Sequence, residues 1–137
     1  YNEIPLDVKT NLNLIPVDLC AKAIMLLASN FKSGVFHVVN PINKPIDDIV
    51  NEAKNFFKFK KPKYITLNKF NSSKYPPFGK QFLNTYVSYF NFRATFDSLY
   101  TQKILKNLGF VYPNISNKFL INVFKYCAQE RFIRRGK

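Results

Sequence analysis

Only one histidine, His37, is present, so any Ser/His/Asp or Cys/His arrangement would have to be built around it. It stands among valines in the stretch Val-Phe-His-Val-Val-Asn, where a hydrogen-bonded structural histidine is the reading preferred over a catalytic one. Cys20 and Cys127 lie far apart; with a single histidine they give no metal-ligand spacing, so no metal site is expected. Asp47, Asp48 and Glu52 could pair as acid and base, but at the start of a predicted helix their negative charge suits the helix dipole. Tyr86, Tyr89, Phe90 and Phe92 with Arg93 form an aromatic block. Such a block either packs a core or lines an apolar channel with hydroxyls as polar handles. The basic run Lys54, Lys58, Lys60, Lys61, Lys63 and the later Arg131, Arg134, Arg135, Lys137 are either a solvated surface or a docking patch for an acidic partner.

The elements that must position these residues sit in a chain of 137 residues, enough for one domain with a core. Apolar residues make up 47% and aromatic ones 17%, which excludes a disordered chain. The net charge of +13 favours an acidic partner, whether nucleic acid, anionic lipid or protein. No apolar run approaches the roughly 18 residues of a membrane span. Two distant cysteines are too few for a disulfide scaffold and point to a reducing, cytoplasmic setting. The chain opens at Tyr1 with no signal peptide, and is expected to be a piece of something longer.

The pattern predicts a helix over Val17–Ser29, with Asp18 placed to cap it. Apart from Asp18, only Lys22 is charged within it, so it needs cover on more than one side. A strand over Val35–Val39 follows, apolar on both faces apart from His37, as in a parallel sheet covered by helices. Further helices are predicted at about 47–57, 80–90, 99–108 and 117–131, with a short strand in Lys-Tyr-Ile-Thr-Leu. Ser98 or Asp97 would cap the fourth, Gly109 would close it, and Ser116 would cap the last. The fold class is α/β or α+β, mostly helical, with one buried parallel strand and a few short ones. A lone buried strand cannot satisfy its own edges, so the rest of its sheet is expected upstream; the alternative is a small α+β domain that covers the helix itself.

"IPVDLCAKAI" followed by "GVFHVVNP" resembles the closing portion of extended short-chain dehydrogenase/reductases of the thioester reductase type. "TFDSLYTQKILKNLGFVYP" and "FLINVFKYCAQERFI" are similar to later parts of the same family, with Arg131 where the family tends to have glycine. The resemblance implies a C-terminal, substrate-side subdomain spanning residues 1–137 of an enzyme that uses NADPH to release a carrier-bound thioester. It implies Tyr86, Tyr89, Phe90 and Arg93 on the substrate side, and Lys58, Lys60, Lys61 and Lys63 facing an acidic carrier protein. An upstream Rossmann domain would be the other partner. The chain carries no glycine-rich phosphate loop and no Tyr-x-x-x-Lys, so no catalytic or cofactor-binding residue is assigned and the piece alone is expected to be inactive. Two other readings fit the same sequence: the same part of a nucleotide-sugar epimerase or dehydratase, and a basic nucleic-acid-binding module. A homodimer covering the sheet-facing surface is a further expectation.

Overall fold

The computed structural model describes residues 3–87 and 95–130. Its elements run β1 (Glu3–Pro5), β2 (Asn11–Leu12), α1 (Val17–Asn30), β3 (Lys44–Pro45), α2 (Ile46–Phe57), β4 (Lys63–Ile65), α3 (Pro77–Tyr86), α4 (Leu99–Asn107) and α5 (Asn117–Gln129). Two short 3-10 turns, Leu67–Lys69 and Ser72–Lys74, link β4 to α3. Helices dominate, and the short strands include a parallel pair, as the fold class required. The described residues fall into two compact units, 3–11 with 45–87 and 116–130, and 12–44 with 95–115. Strands β2 and β3 pair with each other.

In the first unit β1 runs parallel to β4, with Glu3 opposite Lys63, Ile4 opposite Tyr64 and Pro5 opposite Ile65. Helix α2 is amphipathic, and the stripe that ends in Phe56 and Phe57 packs against Phe124 of α5. The three rings meet at centroid separations of 4.8, 5.9 and 5.5 Å. Asn117 at the start of α5 donates to Glu52 of α2 at 2.7 Å, and the Ser116 hydroxyl caps α5 by accepting from Phe119 N at 3.2 Å. Ile46 of α2 and Leu120 of α5 are both buried.

Asp47 ties the start of α2 to β4. Its Oδ1 accepts from Lys61 Nζ and from Tyr64 Oη, each at 2.6 Å, and its Oδ2 accepts from Asn51 at 3.0 Å. The hydrogen bond from Lys61, and next the one from Tyr64, hold this carboxyl below its usual range. A carboxylate depressed by folding adds stability above its unfolded pKa, and that stability is lost as pH falls through the folded value. Asp47→Asn is therefore expected to cost about 1 kcal/mol near neutrality, since the pair is partly open to solvent. Urea midpoints across an acid series check this: the gap between the two proteins should close at the acid end. A gap that stays constant with pH would show that the charge is not what Asp47 contributes.

The second unit packs α1 against α4. Ala23 and Leu27 of α1 and Leu105 of α4 are buried with Phe110, and Leu19, Leu26, Phe31, Phe36 and Ile104 close around them. Two expectations are corrected here. Residues 35–39 form no strand ladder among the described residues; the segment is extended, with Val35 84% exposed and His37 also on the surface. Side chains take the amides that a neighbouring strand would take: His37 N donates to Thr101 Oγ1 at 3.1 Å and Asn40 N to Asn13 Oδ1 at 2.9 Å. The parallel pairing is made by β1 and β4 instead. Asp18 does not cap α1, because the helix begins at Val17 and Pro16 holds the cap position with no side-chain bond. The Asp18 carboxylate lies in the first turn.

Helix α4 also starts differently in detail. Ser98 sits at the cap position, but its hydroxyl accepts from Gln102 Nε2 at 2.7 Å rather than from a helix amide. The Leu99 amide is taken by Asp97 Oδ1 at 3.3 Å. Gly109 ends the helix as expected, at φ +75°, where a side chain would be strained.

Candidate functional site

The residues gathered in the second unit outline a cleft of about 330 Å³. The turn after the extended segment supplies Val39, Asn40, Pro41 and Asn43, and the lead into α4 supplies Phe96, Asp97, Ser98 and Leu99. Asn13 and Gln102 complete its polar wall. The wall is built by an asparagine network. Asn40 is buried; its Nδ2 donates to Leu14 O at 3.0 Å and Pro113 O at 3.1 Å, and its Oδ1 accepts from Ile42 N at 3.1 Å. Asn13 Nδ2 donates to Asn40 O and to Asn43 Oδ1, both at 2.7 Å. These bonds account for every polar atom of the Asn40 side chain and hold the Asn-Pro turn rigid.

His37 stands beside this cleft as a structural residue. Its Nδ1 lies 2.6 Å from Asp97 O, and its ring meets Phe96 edge-on at 6.4 Å between centroids. The imidazole thus steadies the chain entering α4.

Tyr86 is the last residue of α3 and is partly exposed. Tyr89, Phe90 and Arg93, with Phe92, lie outside the described residues. Lys58 follows α2 in the left-handed conformation at φ +59°, and its N–H bonds back to Lys54 O. Lys58, Lys60 and Lys63 are exposed, whereas Lys61 is held by Asp47. The cleft residues Asn13, Asn43 and Gln102 were not foreseen. The only signal was the density of asparagine on either side of Pro41, which composition alone does not separate from ordinary turn chemistry.

Helix α1 explains its own composition. Val17, Ala21, Ile24, Met25 and Ala28 fall on one face and are all exposed, Val17 to 84% and Met25 to 70%. The opposite face carries Leu19, Ala23, Leu26 and Leu27 into the core. The helix therefore has two apolar faces, of which this unit buries one. No helix among the described residues is long and apolar enough to cross a membrane.

No family model matches the chain, and no curated protein does. Among solved structures, 98% of the chain superposes with a TM-score of 0.72 on the terminal R domain from the myxalamid PKS-NRPS biosynthetic pathway. The two are 18% identical over the match, so the likeness is one of fold. The chain spans 37% of the length of that structure.

Proposed function

We propose that this chain is the C-terminal, substrate-side portion of an NADPH-dependent thioester reductase, which releases an acyl or peptidyl chain from a carrier protein. The observation that supports it most is the superposition of nearly the whole chain on a terminal domain of a synthase. The motifs at Pro16–Asp18, His37–Pro41 and residues 96–113 point the same way. Cofactor binding falls to residues outside this chain. Its glycines, at 34, 79, 109 and 136, cannot form a phosphate loop, and no tyrosine is followed by lysine four residues on. The catalytic groups and NADPH therefore belong to an upstream Rossmann portion. The bare apolar face of α1 is the surface assigned to that portion, because such a face is stable only when covered. Lys58, Lys60 and Lys63 are assigned to docking of an acidic carrier, with Tyr86, Tyr89, Phe90 and Arg93 on the substrate side. Two thiols without a disulfide fit work in the reducing cytoplasm.

The test uses the full-length polypeptide that contains this chain. With a carrier-bound acyl thioester it should consume NADPH and release the free carrier thiol together with an aldehyde or alcohol. Turnover of a nucleotide sugar, with none of the thioester, would replace this reading by the epimerase or dehydratase one.

A further inference from the structure

The cleft beside Asn40 has a chemistry that none of the assignments above uses. Its lining contains no lysine, arginine or histidine, in a chain with 21 lysines and arginines. Its one charged group is the Asp97 carboxylate, which already occupies the positive end of α4 through Leu99 N. Phosphates and carboxylates are therefore repelled from it.

The lining keeps polar atoms beyond those bonds: the Thr95 hydroxyl and the O–H of Ser98, each able to donate, and three groups of fixed role. Asn43 Oδ1 is engaged by Asn13, which leaves its Nδ2 as a donor. Gln102 Nε2 is engaged by Ser98, which leaves its Oε1 as an acceptor. Asp97 keeps one carboxylate oxygen as a second acceptor. Val39, Pro41, Phe96 and Leu99 add apolar surface to a lining that is more polar than apolar. The fixed donor of Asn43 and the fixed acceptor of Gln102 together complement a secondary amide, whose carbonyl accepts and whose N–H donates.

We propose that this cleft is a binding site for a neutral ligand carrying a secondary amide. The carbonyl takes a hydrogen bond from Asn43 and the amide N–H gives one to Gln102 or Asp97. The source of that amide rests on the reading above: it is either the pantetheine arm of a carrier or the backbone of a peptidyl chain, and both present the same group. The cleft chemistry does not depend on that reading.

Saturation-transfer NMR on this chain, titrated separately with pantetheine and with N-acetylglycine methylamide, tests it. At least one probe should bind; pantetheine alone identifies the arm, the capped glycine alone identifies the peptidyl chain, and both identify a general amide site. Asn43→Asp keeps the oxygen that Asn13 needs but turns the donor into an acceptor, and should weaken binding by about tenfold or more. Its melting temperature should not change, because Asn43 is exposed. Asp97→Asn should leave amide binding within a small factor. Failure of both probes at millimolar concentration overturns the proposal. So does binding of inorganic pyrophosphate in the cleft, or of propylamine in a manner lost in Asp97→Asn. Full-length protein separates the two readings. If Asn43→Asp leaves probe binding and thioester reduction unchanged, the amide site is wrong and the reductase stands. If the amide binds but no thioester is reduced, the reductase reading is wrong and the site stands.

Discussion

Replacing Asn40 by aspartate unfolds, or nearly unfolds, the unit made of residues 12–44 and 95–115. The side chain is 3% exposed and its Nδ2 points at two carbonyl oxygens, those of Leu14 and Pro113. Aspartate has the same shape but sets an oxygen against both carbonyls and buries a negative charge. Two acceptors lose their donor at once. The expected loss is about 3–5 kcal/mol, a large part of a typical domain's stability. The acid dependence identifies the cause. A carboxyl raised by burial destabilises above its unfolded pKa, and the penalty fades as pH falls below it. The difference in urea midpoint between variant and parent should therefore narrow in acid. Midpoints that coincide at neutral pH would mean that the asparagine network does not hold the turn.

Reversing Lys58, Lys60 and Lys63 to glutamate should slow reaction of the full-length enzyme with carrier-bound thioester by about a hundredfold at low salt, because steering by a charged patch raises encounter rates by 10–10³. A small free thioester should react as before. Rising salt should shrink the difference, since exposed charges are screened. Lys61 is left in place because it bonds Asp47, and its reversal would also loosen α2 from β4. Equal loss for both substrates, or no loss for either, would remove the carrier-docking role.

The helices were legible because their signals are local. The stripe through Ile49, Val50, Ala53, Phe56 and Phe57 predicts α2 to within a residue of Ile46–Phe57, and Ser116 caps α5 as its position suggests. Gly109 marks the end of α4 by the backbone conformation only glycine adopts cheaply. The extended segment at 35–39 was misread because an apolar run fixes a preference for extension but not a partner. The His37 amide met Thr101, 64 residues away, and that of Asn40, just after the segment, met Asn13, 27 residues away. Asp18 was misread by two positions, which is enough to move a side chain from the cap into the first turn. The cleft stayed hidden for the same reason as the ladder. The bonds that make Asn40 more than a turn residue span 26 and 73 residues, and no short window contains both ends.

The greasy ridge on α1 has a colloidal consequence for the chain handled in isolation. Copies bearing thirteen excess positive charges push one another apart before those ridges can touch. The protection reaches only about a Debye length, roughly 10 Å at 0.1 M salt and 3 Å at 1 M. Salting a preparation to quieten its charges would thus bring the ridges within reach of one another, and the protein would keep best in dilute buffer rather than in brine.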